Sequence, residues 1–249
     1  MKRALVTLAI GDRYLGWWRE YSEAGWRQYA ERHGLDLIVI TEPLDGSARA
    51  AARSPAWQKC IIPRQPWAQK YDRMLWLDSD IVINNANAGD LLAEVPEDKV
   101  GVLTGASVPS FVSQGWRDVY QALYHTSYGM PSDFEIGMNT GVLAYAPRHV
   151  ADLFGKVYDE YEDRGESSWH YEQRPLSWHI FHARLDHPID SRYNYDWARD
   201  VYEHYPFLLE DRPDREELMR LCMSVTLGRA RFLHFCGRHA EMQYLLRNT

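Results

Sequence analysis

Short apolar runs alternate with longer amphipathic segments along this chain, the rhythm of an α/β protein. Ala4-Leu5-Val6-Thr7-Leu8-Ala9-Ile10 is continuously apolar, which predicts a strand covered on both faces. Gly11-Asp12 closes it. A helix is predicted from about Tyr14 to Arg32, with Trp17, Tyr21, Ala24 and Gln28 along one face and His33-Gly34 as its stop. Leu37-Ile38-Val39-Ile40 predicts the second strand. Such a β-α-β opening puts a ligand beyond the carboxyl ends of the strands. Residues 41–55 read as a loop, a candidate lid or a plain surface connection. A helix from Ala56 carries Trp57, Lys59 and Ile61 and is broken at Pro63 and Pro66.

The run Met74-Leu75-Trp76-Leu77-Asp78-Ser79-Asp80-Ile81-Val82-Ile83 predicts a buried strand ending at Asp78 and a short strand from Ile81. Asn84 to Gly89 is turn chemistry, and a short helix begins at Asp90. Val100–Thr104 and Asn139–Tyr145 are further strands. Between them, Gln114 to His125 reads as a helix and Gly129 to Ser132 as a turn. Helices follow from about His149 to Arg164 and after Glu172. Another runs from Asp214 to Leu227, with Leu218, Leu221, Cys222 and Val225 on one face. A last strand delivers His234.

The length, 249 residues, suits one large α/β domain or two small ones. A net charge of −7 argues against nucleic acid or an anionic membrane as the main partner. Cys60, Cys222 and Cys236 lack metal or redox spacing and read as reduced cytosolic thiols. The chain enters a strand at once, with no secretory apolar region ahead of it. No apolar run approaches the ~18 residues of a membrane span. The expected location is cytoplasmic, with peripheral attachment at a membrane left open.

The chemistry concentrates at Asp78-Ser79-Asp80. Buried carboxylates without partners are costly. Residues i and i+2 of an extended segment point the same way, so both acids can face one hard cation. A strand-end turn with solvated acids is the alternative reading. Asn139-Thr140-Gly141 couples an amide, with both donor and acceptor, to a glycine that admits close backbone approach. Glu172-Gln173 opens an amphipathic segment. His234-Phe235-Cys236-Gly237-Arg238 joins a histidine to backbone NH groups and a cation suited to phosphate.

Taken in order, the β-α-β start, the D-x-D, the N-x-G, the Glu-Gln pair and the His-Phe-x-Gly resemble glycosyltransferase families 8 and 34. The Asp-Ser-Asp form and the Glu-Gln pair lean towards family 34. The resemblance implies an α/β GT-A fold: a Rossmann-like central mixed sheet with helices on both faces, over 1–249 as a single domain. About 1–104 would be the nucleotide-binding half and about 105–249 the acceptor-binding half. It implies a metal-dependent transferase that moves a hexose or pentose from a nucleoside-diphosphate sugar to a glycan, lipid-linked or small-molecule acceptor. Mn²⁺ or Mg²⁺ would bind Asp78, Asp80 and His234. Thr7, Ala9 and Tyr14 lie where relatives hold the base and ribose, and Tyr14 reads equally well as core. Lys59, Asp78, Ser79, Gly141, Gly237 and Arg238 would contact the donor. Asn139, Glu172 and Gln173 would lie at the sugar. The stretch Leu185 to Asn194, ending in Tyr193-Asn194, resembles the Leu-x-x-x-Tyr-Asn pattern that these families carry at a strand. The usual lysine-proline-tryptophan ending is missing; Arg238-His239 stands in its place.

Two other classes compete. A sugar-phosphate nucleotidyltransferase needs a glycine-rich basic loop after the first strand, and Ile10 to Gly16 offers two glycines without that pattern. A non-catalytic nucleotide-sugar or glycan-binding module shares the same motifs, and release of nucleoside diphosphate separates it from an enzyme.

Overall fold

The computed structural model describes residues 1–104, 138–162 and 171–245. The helix expected at Gln114–His125, the turn at Gly129–Ser132 and the acceptor-side structure expected over 105–135 lie outside the described residues.

The main sheet is built from continuous apolar runs. β1 (Arg3–Leu8), β2 (Asp36–Ile40), β3 (Arg73–Leu77), β5 (Val100–Thr104), β6 (Met138–Tyr145) and β7 (Asp186–Pro188) lie in the order β2-β1-β3-β6-β5-β7. β1 pairs in parallel with β2 and β3, while β6 runs antiparallel to β3 and β5. β5 and β7 are parallel. The sheet is therefore mixed and draws strands from both halves of the chain.

The pleat sorts its side chains between two cores. Ala4, Val6, Met74, Trp76, Leu143 and Tyr145 face one, beside the helices Pro55–Arg64 and Pro147–Glu160. Leu5, Ala9, Leu75, Leu77, Val142 and Ala144 face the other, against Trp26 and Tyr29.

A smaller sheet follows the D-x-D. β4 (Ile81–Ile83) pairs antiparallel with β9 (Phe232–His234), which pairs in parallel with β8 (Tyr195–Asp196). Leu233 and Phe235 anchor it to Trp197, Met219 and Met223 in a third core.

Helix faces differ from the apolar pattern in two places. The first helix contains a π segment, Trp18–Ser22, between Asp12–Trp17 and Glu23–His33. The wider turn resets the face. Trp18, Ser22, Trp26 and Tyr29 are buried, whereas Ala24 and Gln28 are exposed. The Ser22 hydroxyl and the Trp26 ring N–H, each at 2.9 Å, then donate to the Ile81 carbonyl. In the helix Arg215–Arg229 the buried face is Met219, Met223 and Thr226, with Leu221 and Val225 exposed. Thr226 turns inward because its hydroxyl donates to buried Asp200 at 2.6 Å, a polar contact that a hydrophobic pattern does not register.

The segment 41–55 is a fastened connection, not a free lid. Arg49 and Arg53 donate to the carbonyls of Tyr158, Asp159 and Tyr161, capping the helix Pro147–Glu160. The Tyr158 hydroxyl donates to Asp45 at 2.6 Å. That helix ends at Glu160, short of Arg164. The Pro55–Arg64 helix is of the 3₁₀ type, and Trp57 through Pro63 are all buried. It holds Lys59 inside the protein. No helix among the described residues is long and apolar enough to cross a membrane.

Candidate active site

The two sheets meet at the D-x-D. β3 ends at Leu77, and the Asp78 N–H donates to the Gly141 carbonyl at 2.8 Å. Ser79 and Asp80 form a turn, and β4 starts at Ile81. A turn, not a continued strand, brings both carboxylates to one side. β9 lies beside β4 with His234 opposite Ile81. His234 Nε2 is 3.3 Å from Asp80 Oδ1 and 3.8 Å from Asp78 Oδ2. One ligand atom from each of the three residues lies within 4.8 Å of the others.

Neighbouring residues fix which atoms face the gap. Asp78 Oδ1 accepts from Lys59 Nζ at 2.9 Å and Trp76 Nε1 at 3.0 Å, leaving Oδ2 to the cluster. Asp80 Oδ2 accepts from the Gly237 N–H at 2.8 Å, leaving Oδ1. Gly237 has φ +83°, which glycine tolerates and other residues resist. His234 Nδ1 pairs with Asn194 Oδ1 at 2.8 Å. An amide oxygen only accepts, so Nδ1 carries a proton in that contact and Nε2 is the nitrogen that faces the carboxylates, as an N–H towards Asp80 when the ring is charged and as a lone pair free for a metal when it is neutral. Two carboxylate oxygens and one imidazole nitrogen, each oriented by a partner, fit a divalent cation.

Charge in the cluster is linked. Burial raises the Asp80 carboxyl, but His234, then His239 and the Gly237 N–H, outweigh it and hold it well below the usual carboxylate range. Burial lowers the His234 imidazole, but Asp80, with Asp78 behind it, outweighs burial and raises it.

Beside the cluster, one ammonium serves two acids. Lys59 Nζ is 2.8 Å from Glu172 Oε1 as well as 2.9 Å from Asp78. Burial would lower Lys59, yet the two carboxylates raise it; burial, with Asp78 nearby, raises Glu172 against the pull of Lys59. Thr140 ties this wall together. Its hydroxyl donates to Glu172 at 3.2 Å, its N–H donates to Gln173 Oε1 at 3.2 Å, and its carbonyl accepts from Lys59 at 3.4 Å. Asn139 Oδ1 accepts from the Gly141 N–H and from Asn194 Nδ2.

These residues border a cavity of about 690 Å³. Tyr14, Lys59, Asp78, Ser79, Asp80, Asn139, Glu172, Gln173, His234, Gly237 and Arg238 all line it. Thr7 and Ala9 do not; they are fully buried, and Leu8 and Ile10 take the wall. Alternate residues of β1 point to opposite faces, so the site sees the other parity. Gly141 sits behind the wall, against the His234 ring. Arg238 is held by Glu241, with Nε at 2.9 Å and Nη2 at 2.5 Å. The sequence reading did not single out Trp76, Thr140, Asn194 or His239 as site residues. For Asn194 a signal existed in the Tyr193-Asn194 pair.

Comparison with solved structures identifies the architecture. A glycosyltransferase involved in glycosylation of the major capsid of PBCV-1 superposes with a TM-score of 0.55 and 17% identity, over 96% of this chain and 97% of its own. The bifunctional glycosyltransferase WbbM gives 0.57 and 11%, over all of this chain and 50% of its own. GlyE of Streptococcus pneumoniae TIGR4 gives 0.52 and 16%, over all of this chain and 61% of its own. The chain thus spans about half of WbbM and three fifths of GlyE. No protein-family model and no curated protein matches the sequence. At these identities the likeness is one of fold: the chain has the GT-A glycosyltransferase fold that its motifs resemble.

Proposed function

We propose that this protein is a metal-dependent glycosyltransferase. It would move a hexose or pentose from a nucleoside-diphosphate sugar, UDP-sugar favoured, to a hydroxyl of a glycan, lipid-linked or small-molecule acceptor, with retention. The observation that carries the reading is the meeting of Asp78 Oδ2, Asp80 Oδ1 and His234 Nε2 at the joint of the two sheets, beside a cavity large enough for a nucleotide sugar. The mixed oxygen and nitrogen set suits Mn²⁺, with Mg²⁺ the alternative. When bound, the ion supplies Lewis-acid neutralisation of the charge developing on the departing diphosphate.

The chain's own residues do the rest. Leu8, Ile10 and Tyr14 offer an apolar wall to the base in the 1–104 half. The 105–249 half would supply the acceptor side. Lys59 holds Asp78 Oδ1, which orients the carboxylate with Oδ2 towards the cluster. Asn139 and Gln173 orient the sugar, and Glu172 places negative charge near the anomeric carbon as it turns oxocarbenium-like. In a front-face reaction the anomeric C–O bond to phosphate breaks, the acceptor oxygen bonds on the same face, and the leaving phosphate takes the acceptor's proton. An inverted anomeric signal by NMR would sink retention.

The first test is thermal shift with a panel of nucleotide sugars, with and without Mn²⁺, followed by assay of nucleoside diphosphate release. A ligand at a hundred times its dissociation constant adds about 2.7 kcal/mol. The expected result is a Mn²⁺-dependent shift with one donor, lost in Asp80→Ala. No shift with any donor overturns the reading.

A pH dependence follows from His234. Its pKa is raised on folding, so its ion pair with Asp80 stabilises the metal-free protein fully below about pH 6.5 and fades as pH rises through the raised value. Metal needs the neutral ring, so Mn²⁺ affinity runs the other way. Melting curves in EDTA should fall across that window while the Mn²⁺-induced shift grows. Parallel curves would contradict His234 as a ligand.

A further inference from the structure

A nucleoside diphosphate brings several negative charges into a cavity already walled by carboxylates. Among the described residues lining it, the basic side chains are Lys59, His234, Arg238 and His239. The first three are matched. Lys59 bridges Asp78 and Glu172. His234 faces Asp78 and Asp80. Arg238 is bidentate on Glu241, which also accepts from Trp197 Nε1 at 2.6 Å.

His239 is different. Its Nε2 lies 3.8 Å from Asp80 Oδ2, too long for a hydrogen bond, and that oxygen already accepts from Gly237. The ring itself is fixed. It stacks on Trp17 with centroids 5.1 Å apart at 26°, and meets the Tyr14 ring at 5.0 Å and 78°. The Arg13 guanidinium lies 4.4 Å from the Trp17 ring. Arg13, Tyr14 and Trp17 belong to one helix, Asp12–Trp17, so a single element brackets the imidazole. A ring nitrogen is thus held by packing beside the carboxylate cluster, so little side-chain freedom remains to be lost when a ligand binds it.

We propose that His239 is a diphosphate-binding residue of this site, donating its Nε2–H to a phosphate oxygen of a bound nucleoside diphosphate. The proposal rests on the donor-site reading above. It assigns to His239 the phosphate contact that the sequence resemblance gives to Arg238.

The test is isothermal titration of UDP and uridine in Mn²⁺, and of Mn²⁺ alone, on the wild type, His239→Phe, His239→Gln and His239→Ala. Phenylalanine keeps the stack and removes the donor; glutamine keeps a donor. His239→Phe should weaken UDP by about tenfold or more, the size of one hydrogen bond to a charged oxygen, while uridine and Mn²⁺ stay within about twofold. His239→Gln should recover part of the loss, and it carries the test if the phenylalanine disturbs folding: there, uridine and Mn²⁺ unchanged with UDP weakened less than in His239→Ala is the supporting result. UDP binding unchanged in every variant overturns the proposal. So does an equal loss of Mn²⁺ affinity without nucleotide, which makes His239 a positioning group for Asp80. A wild type that binds none of UDP, GDP, ADP and CDP in Mn²⁺ overturns the donor-site reading itself, and His239 with it.

Discussion

Replacing Lys59 with methionine should cost about 3–5 kcal/mol, the usual penalty for stranding one member of a buried ion pair. That is a large share of the roughly 5–15 kcal/mol that holds a domain folded. Lys59 and Glu172 side chains are each only 4% exposed, so water cannot replace the lost partner. Methionine fills the stem's volume, which leaves charge as the main change. Glu172 already titrates above its ordinary value, because burial and Asp78 outweigh Lys59. Without Lys59 its pKa rises further. A carboxyl whose folded pKa is raised destabilises the protein above that pKa and relaxes as pH falls through it. The variant's deficit should therefore shrink in acid, as read from denaturant midpoints across pH. Adding Glu172→Gln should restore most of the stability. It should not restore donor turnover, since neither the oriented Asp78 nor the charge on Glu172 returns. A midpoint unchanged in Lys59→Met would mean that Glu172 is neutral in the folded wild type, and the ion-pair account would fall.

The parts of this site that sequence made legible share a physical cause. Asp78, Asp80, Asn139 and His234 stand at the ends of strongly apolar strands, where a polar residue interrupts a clear signal. β1, β3, β5 and β6 fall within a residue or two of the runs that predict them. What was not legible depends on contacts across the chain. A strand apolar on both faces carries no mark of which parity meets the cavity, so Thr7 and Ala9 could not be told from Leu8 and Ile10. The helix with the Trp18–Ser22 π segment buries a different face from the expected one, and the Ile81 carbonyl to which that face donates comes from another part of the chain. Asn194 acquires its role only when β9 brings His234 to it, 40 residues on. Arg238 is a contrary case. Its partner Glu241 is three residues away, an i,i+3 pairing that sequence does display.

Gly141→Ala should disable the candidate metal cluster without replacing any of its three ligand residues. A methyl group there would lie 2.3 Å from His234 Cε1, 2.8 Å from His234 Nδ1 and 3.0 Å from Asn139 Oδ1. Neither side can yield cheaply. The Gly141 N–H donates to Asn139 Oδ1 at 2.9 Å, and its carbonyl accepts from the Asp78 N–H at 2.8 Å. The His234 ring is pinned between Asn194 and Asp80. Overpacking of this kind costs about 1–3 kcal/mol, so the variant should still fold. The strain falls on the link between His234 and Asn194, and losing such a support typically lowers metal affinity by about 10–100-fold. Mn²⁺ titration of the folded variant reads this directly, with a denaturation curve to confirm the fold. The glycine of the N-x-G motif leaves the room that the His234 ring occupies. Wild-type Mn²⁺ affinity in a folded Gly141→Ala protein would show that His234 is not a ligand, and the metal would have to rest on Asp78 and Asp80 alone.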